Sequence, residues 1–328
     1  MVGIFITYYQ DTRIRITMNL LNIHKLNTYF PTPDGLVKAV DHVDLQIADS
    51  EKVGLIGETG CGKTVLGMSI VRLLDSSAQI NGRIIYRGRD ILELAEEDMR
   101  SLRGREIAMI LQNPTTSLNP VMRVGDQIAE GIRLHGGLDK RAAKKRAVEI
   151  LKSVMIHDAE RRADQYPHEF SGGMKERAMI AIGLSCDPSI IIADEPTKGL
   201  DAKTKTQIVQ LLKGVTEHKS MLMITHDLNV AASICDRVAV MYAGEILEVG
   251  KVWDVLKNPM HPYTRGFINS LPSRGLKPIR GSSPSLIDLP SGCRFCPRCD
   301  FAMEACKFKH PEITPADDGQ SVRCFLYT

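Results

Sequence analysis

With 328 residues, of which 43% are hydrophobic, 25% charged and 5% aromatic, the chain has room for two domains, or one large domain with an appendage. Its 42 Lys and Arg against 39 Asp and Glu leave a formal charge of +3, which argues against a nucleic-acid coat or a polybasic membrane anchor. No apolar run approaches the roughly 20 residues of a membrane helix, so any work at a membrane requires a partner subunit. The opening MVGIFITYYQDTRIRIT has no basic leader and no small-residue cleavage site, so residues 1–17 read as a loose extension before the regular pattern that starts at Met18.

In chain order, LLNIHKL, AVDHVDLQI and KVGLI read as strands, the first two joined by a turn at Pro31 to Gly35. GETGCGKT then runs into the helical VLGMSIVRLL, and EIAMILQ (106–112) is a further strand. From about 113 to 170 the texture is helical and polar, and KRAAKKRAVEILKSVM carries apolar residues at helical spacing with a basic run, Lys140–Arg146, on its solvated face. SIIIADEP and SMLMITHD are apolar on both faces, as strands inside a helix-covered parallel sheet must be. RVAVMYAGEILEV is a hairpin turning at Ala243-Gly244. After about Asn258 the chain fills with Pro, Gly and Ser up to a cysteine cluster, which places a boundary there.

Gly57-Glu58-Thr59-Gly60-Cys61-Gly62-Lys63-Thr64 fits G-x-x-x-x-G-K-[ST], with the preceding strand and following helix that phosphate binding requires. The glycines let successive N–H groups point at phosphate oxygens, and the positive end of the helix from Lys63 adds attraction. Lys63 is expected to reach the β- and γ-phosphates and Thr64 to ligate Mg²⁺. Cys61 reads as a small filler whose side chain points away. Asp194 closes a strand where a Mg²⁺-binding carboxylate belongs, and Glu195 follows it as the candidate general base. Gln112 ends another strand, within reach of metal and water, and His226 ends a third, where it can hold the γ-phosphate. A lone histidine is more often structural; this one gains weight because the strand ends converge at one sheet edge.

FSGGMKERAMIAIGLSCDP (170–188) completes the set, and with it the chain resembles the ATPase subunits of ABC transporters over about residues 19–328. Ser171 can cap a helix whose first N–H groups are freed by Gly172 and Gly173, a second phosphate-binding helix terminus. The resemblance implies that this terminus binds the γ-phosphate of ATP held by a second ATPase subunit, either the same chain or a paralogue. It also implies that Gln112 couples nucleotide state to the membrane partner, that Asp194 and Glu195 are the Mg²⁺ and base positions, and that His226 is the switch histidine. Asp201, closing KGLD, falls in the loop that crosses the dimer interface, and Phe30, with Tyr29 as the alternative, stacks on adenine. Met174 and Glu176 stand where relatives often have Gln, and Lys198-Gly199 is an unusual filling. The implied fold is an α/β P-loop NTPase of the ABC ATPase type over 18–257: a RecA-like parallel-sheet core, an antiparallel β subdomain, and a helical subdomain at about 113–170. A small Cys-rich metal-binding extension follows over 258–328.

NTYFPTPDGLVKAVDHVDL, MILQNPTTSLNP, HPYTRGFINSLP and the tail PSGCRFCPRC…AMEAC…VRC are similar to the oligopeptide and dipeptide permease branch. That similarity implies two transmembrane permease subunits, an extracellular or periplasmic solute-binding protein acting indirectly, and a peripheral place on the cytoplasmic face of the membrane. Nickel or oligosaccharide uptake is the alternative cargo. A nucleic-acid repair ATPase is disfavoured because this chain has one motif set and balanced charge. A chromosome-type ATPase is disfavoured by the lack of a long coiled coil between the motifs. The intact Lys63, Asp194, Glu195 and His226 argue against a catalytically dead regulatory subunit.

The tail cysteines at 293, 296, 299, 306 and 324 are separated by gaps of two, two, six and seventeen residues. In a reducing compartment such a cluster suggests metal rather than disulfides. The resemblance puts ligands at Cys293, Cys299, Cys306 and Cys324, with Cys296 as an extra. Met303 occupies the fourth position of a ferredoxin-like run, so a 4Fe–4S cluster on four spread cysteines is preferred over zinc, and zinc over a bare thiol-rich tail. On this reading the cluster braces the tail and leaves catalysis to the other domain.

Overall fold

The computed structural model describes residues 19–316 and 319–328; the expected extension at 1–17 lies outside the described residues. β1 (Asn19–Thr32) and β2 (Gly35–Ala48) form a long antiparallel hairpin, longer than the short strands expected because pairing continues to the Thr32–Gly35 turn. β3 (Lys52–Ile56) leads into the phosphate loop. β4 (Gln79–Tyr86) and β5 (Arg89–Asp90) join the hairpin in a four-stranded sheet of order β2-β1-β4-β5. These two escape sequence reading: β4 is broken by a left-handed Gly82 and exposes most of its first five residues.

The second sheet contains β6 (Ile107–Ile110), β7 (Ile190–Asp194), β8 (Ser220–Thr225), β9 (Arg237–Tyr242) and β10 (Glu245–Lys251) with β3. β9, β3, β8, β7 and β6 run parallel in that spatial order. Every residue of β7 and β8 is buried, which matches their unbroken apolar runs. A parallel arrangement brings the polar residues that follow these strands to one edge. β9 and β10 turn through Ala243 and Gly244, both at positive φ, the geometry that matches the twist of a two-residue hairpin.

Helices Val124–Gly136, Lys140–Ser153 and Ala159–Ala163 pack beside the sheet together with Gly172–Leu184. In Lys140–Ser153, Asp139 caps the N-terminus by accepting from Ala142 N at 2.8 Å, while Ala143, Ala147, Ile150 and Leu151 face inward. Lys140, Arg141, Lys145 and Arg146 stay exposed, so the basic run is a solvated face. Among the described residues, no helix is long and apolar enough to cross a membrane.

The composition shift near Asn258 marks no gap in packing. Tyr263, Phe267 and Ile268 of the helix Pro262–Asn269 belong to the main core, as do Cys293, Phe295 and Cys306. Two short strands, β11 (Thr314–Pro315) and β12 (Ser321–Val322), extend the large sheet by pairing β12 onto β10, giving eight strands. Phe295 is 3% exposed, its ring 5.4 Å from that of Tyr242 and 5.5 Å from that of Tyr263. Phe295→Ala is therefore expected to cost about 3–5 kcal/mol, read as a lower urea midpoint of one cooperative transition that includes the phosphate-loop core. A loss under about 1 kcal/mol would contradict a shared core.

Candidate functional site

Two separate clefts carry the expected site residues. The first, of about 400 Å³, is lined by Phe30, by Thr59, Gly60, Gly62, Lys63 and Thr64 of the phosphate loop, and by Gln112, Asp194 and Glu195. The loop's backbone leaves no room for side chains at two points. A Cβ on Gly57 would fall on the carbonyl oxygen of Met241, and one on Gly62 on that of Ala39, while φ is +155° and +107° at the two glycines. Cys61 is buried and packs inward, as expected of a filler. Lys63 is also buried, and its Nζ donates to the carbonyls of Gly57 and Glu58, each at 2.8 Å. Between Phe30 and Tyr29 the structure separates clearly: Phe30 lines the cleft, whereas the Tyr29 hydroxyl donates to Asp41 and, at 3.1 Å, to Asn27.

Asp194 ends β7 with a buried carboxylate whose Oδ1 has no hydrogen-bond partner. Burial pushes this carboxyl up, opposed by the Thr64 hydroxyl, reinforced by Glu195, and lowered again by Lys63 and Lys198. An orphaned hard oxygen beside a threonine hydroxyl and an amide side chain fits a magnesium ion, so the donor set suits the expected metal. Glu195 is held in the left-handed region at φ +49°, an uncommon conformation for a residue with a Cβ. Its Oε1 meets His226 Nδ1 at 2.7 Å and accepts from His226 N at 3.1 Å. Lys198, which the sequence presented only as an unusual neighbour of Gly199, lines this cleft and bears on Asp194.

The second cleft, of about 510 Å³, gathers Ser171, Gly172, Gly173, Gly199 and Asp201 away from Lys63. Ser171 Oγ accepts from Met174 N at 3.3 Å, capping the helix Gly172–Leu184 as its sequence implied. Asp201 caps the helix Ala202–Val215, taking bonds from Lys203 N and Thr204 N at 3.0 Å and from the Thr204 hydroxyl at 2.6 Å. Its carboxylate is thereby committed to the loop's shape.

The tail reaches the first cleft, which the sequence reading did not anticipate. Glu58 accepts from Arg298 at 2.9 and 3.1 Å and from the Ser283 hydroxyl at 2.5 Å, and its amide donates to Tyr263 Oη at 2.9 Å. Leu286 lines the cleft, and its carbonyl accepts from Lys38 N at 2.9 Å. No local pattern marks Ser283 or Leu286, since the segment has neither helical nor strand periodicity.

All five tail cysteines line one hollow, walled by Phe295, Phe301, Met303 and Phe325. Cys293, Cys306 and Cys324 are buried and Cys296 and Cys299 half-buried, so burial does not set Cys296 apart. Burial pushes the Cys293 thiol up to about 12, with Glu245, Cys306 and Cys324 adding to the rise. Burial is also the first cause of the upward shift at Cys299 and Cys324. Among the described residues no group of three or more His, Cys, Asp or Glu is gathered closely enough to hold a metal ion. His261 lines the same hollow; its Nδ1 accepts from Tyr263 N at 3.0 Å, and its buried Nε2 has no partner.

Residues 40–198 match the family model for ABC transporters, and residues 247–306 the model for the oligopeptide/dipeptide transporter C-terminal region. The chain is 43% identical over 316 residues to the "Probable peptide ABC transporter ATP-binding protein y4tR" of Sinorhizobium fredii, covering 93% of this chain and 94% of the relative. It is also 43% identical over 317 residues to the oligopeptide transport ATP-binding protein AppD of Bacillus subtilis, covering 94% and 97% of the two chains. A solved dimer of the ATP-binding cassette MJ0796, bound to ADP and Pi, superimposes with a TM-score of 0.64 at 27% identity, covering 71% of this chain and 98% of that one. The chain belongs to the ATP-binding subunits of ABC transporters. It is an ATPase.

Glu176, in the helix that Ser171 caps, is 3% exposed and its Oε1 lacks a partner. Burial raises its carboxyl to about 8, which favours the protonated form at neutral pH. An acid raised in the folded state keeps a proton that the unfolded chain has released, so it erodes stability as pH climbs from about 4.5 to about 8. Glu176→Gln is expected to change the melting temperature little at pH 5 and to raise it at pH 8 by the equivalent of a few kcal/mol. An equal effect at both pH values would rule out a protonated Glu176.

Proposed function

We propose that this chain is the motor subunit of an importer, hydrolysing ATP to drive uptake of di- or oligopeptides through two membrane permease subunits that it meets at the cytoplasmic face. The observation that carries this is the separation of the two clefts: Lys63, Asp194 and Glu195 lie in one, Ser171 and Asp201 in the other. Neither cleft alone has both the phosphate loop and the capped helix terminus, so two ATPase subunits facing each other would complete two sites. Relatives named for peptide transport and the matched C-terminal region support the peptide cargo, delivered by a solute-binding protein outside the cell.

In the proposed site Phe30 stacks on adenine, the loop N–H groups and Lys63 hold the β- and γ-phosphates, and Ser171 with Gly172 and Gly173 presents its helix terminus to ATP on the opposite subunit. Thr64, Asp194 and Gln112 would hold Mg²⁺, which neutralises charge on the phosphate oxygens. Glu195 orients the attacking water and takes its proton, the water oxygen bonds to the γ-phosphorus, and the bond to the ADP oxygen breaks. His226, as the switch histidine, holds the γ-phosphate and keeps the Glu195 carboxylate aimed. Gln112 passes the nucleotide state to the membrane partner, and Asp201 shapes the loop at the subunit interface. We place the ATPase domain at 18–257, with its helical part at about 113–170.

Glu195→Gln is expected to bind ATP and slow turnover by about 10²–10⁴, accumulating an ATP-bound dimer on gel filtration. Wild-type turnover would remove Glu195 from the mechanism. Lys63→Ala should instead weaken ATP binding measured by calorimetry, since it deletes a charge-assisted contact. Co-purification with two membrane proteins and an ATPase rate raised by peptide-loaded binding protein test the cargo; stimulation by nickel or an oligosaccharide alone would replace it.

For the tail we propose a 4Fe–4S cluster on Cys293, Cys299, Cys306 and Cys324. What supports this reading is that the five thiols share one apolar hollow and that their gaps in sequence do not form the paired C-x-x-C knuckles favoured by zinc. Anaerobically purified protein should absorb broadly near 400 nm and carry roughly four irons per chain. One zinc per chain and no iron would overturn that assignment, and iron lost from Cys296→Ser but kept in Cys299→Ser would exchange those two ligands.

A further inference from the structure

Glu58 poses an electrostatic problem: a carboxylate in the loop that must surround a polyanionic triphosphate. The structure deals with it through the tail. Arg298 takes both carboxylate oxygens of Glu58, at 2.9 and 3.1 Å, and the Ser283 hydroxyl adds a third bond. Arg298 is 7% exposed, lies over the rings of Tyr242 and Phe295 at 5.7 and 5.9 Å, and donates its Nε to Arg280 O at 3.0 Å. A guanidinium braced on this many sides cannot follow a mobile partner; it sets where Glu58 sits.

The neighbouring peptide is held as firmly. The plane between Gly57 and Glu58 is gripped at both ends, its N–H by Tyr263 Oη at 2.9 Å and its carbonyl by Lys63 Nζ at 2.8 Å. The next carbonyl, of Glu58 itself, takes the second Lys63 bond at 2.8 Å. Tyr263 is fully buried in the core, between Tyr242 and Phe267. The lysine expected to meet the phosphates thus rests on carbonyls whose orientation is determined from residues 263 and 298, more than 200 positions away in the chain.

We propose that Arg298 and Tyr263 are positioning residues for ATP, acting through Glu58: Arg298 neutralises and withdraws its carboxylate, and Tyr263 orients the peptide that supports Lys63. The proposal rests on the reading of the first cleft as the ATP site. Arg298 ends the 3-10 turn Cys296–Arg298, directly before Cys299, so the guanidinium that sets the loop is carried on the same backbone that forms the cysteine hollow. The tail is then a controlling element of nucleotide affinity, in contrast to a brace without effect on catalysis.

The test uses the full chain and a slowly hydrolysed ATP analogue, with affinity measured by calorimetry. Arg298→Gln leaves the loop carboxylate without its counter-charge and should weaken binding about tenfold, the effect of one charged hydrogen-bonded partner. Adding Glu58→Gln to that variant should bring affinity back to within about threefold of wild type, because the repelling charge is gone. A merely structural role for Arg298 would not be rescued in this way. In a separate steady-state assay with ATP, Tyr263→Phe, which keeps ring and packing, should raise KM by about threefold or more with kcat changed less than twofold. Wild-type affinity in Arg298→Gln, or a loss that Glu58→Gln does not relieve, would overturn the proposal. A wild-type chain that binds no analogue, or a Lys63→Ala variant that binds it equally well, would instead overturn the ATP-site reading itself.

Discussion

The structure depends on a confined stretch of backbone. The phosphate loop passes so close to the carbonyls of Met241 in β9 and Ala39 in β2 that no Cβ fits at Gly57 or Gly62. The loop is therefore clamped between the two sheets, and its N–H groups owe their direction to that clamp rather than to side chains. The strands that form the clamp also order the rest of the cleft. β3, β7 and β8 are parallel and buried, so the residues that follow them, Gly57, Glu195 and His226, emerge at the same edge.

Around this edge the protein accumulates groups that are costly to bury. Asp194 has an oxygen without a partner, Glu195 adopts a left-handed backbone, and Lys63 is withdrawn from solvent onto loop carbonyls. Each state costs free energy that a compact, all-apolar interior would avoid. Such concentration at one cleft fits a site prepared for a ligand carrying both phosphate charge and a cation. The second cleft lacks this tension: Ser171 and Asp201 are spent as helix caps, and Arg162, Arg177 and Gln207 stand in its lining beside the helix terminus.

The tail joins these two scales. Its short strands add to the central sheet, Tyr263, Phe267 and Phe295 sit in the main core, and the side chains of Tyr263, Ser283 and Arg298 reach the phosphate loop. A second polar seam runs alongside, in which Arg294 contacts Asp41, the same carboxylate that holds Tyr29, and donates to Ala243 O at 2.5 Å. The cysteine-bearing segment is thus packed as an integral layer between the β1–β2 hairpin and the β9–β10 hairpin.

The elements whose chemistry is local could be read from consecutive residues. A glycine loop between strand and helix, fully apolar strands ending in Asp194 and His226, a serine-capped helix and the Ala243-Gly244 turn are written in consecutive residues, because hydrogen bonds and φ preferences act over a few positions. Even the basic face of Lys140–Ser153 was legible from its period. The tertiary structure alone decided what depends on distance in the chain. It assigned Phe30 to the cleft and Tyr29 to Asp41, brought in Lys198 and Leu286, and separated Ser171 from Lys63. It also paired Glu58 with Arg298 across 240 positions. No periodicity can encode such contacts, since burial and ion pairing are settled by which surfaces the completed sheets press together.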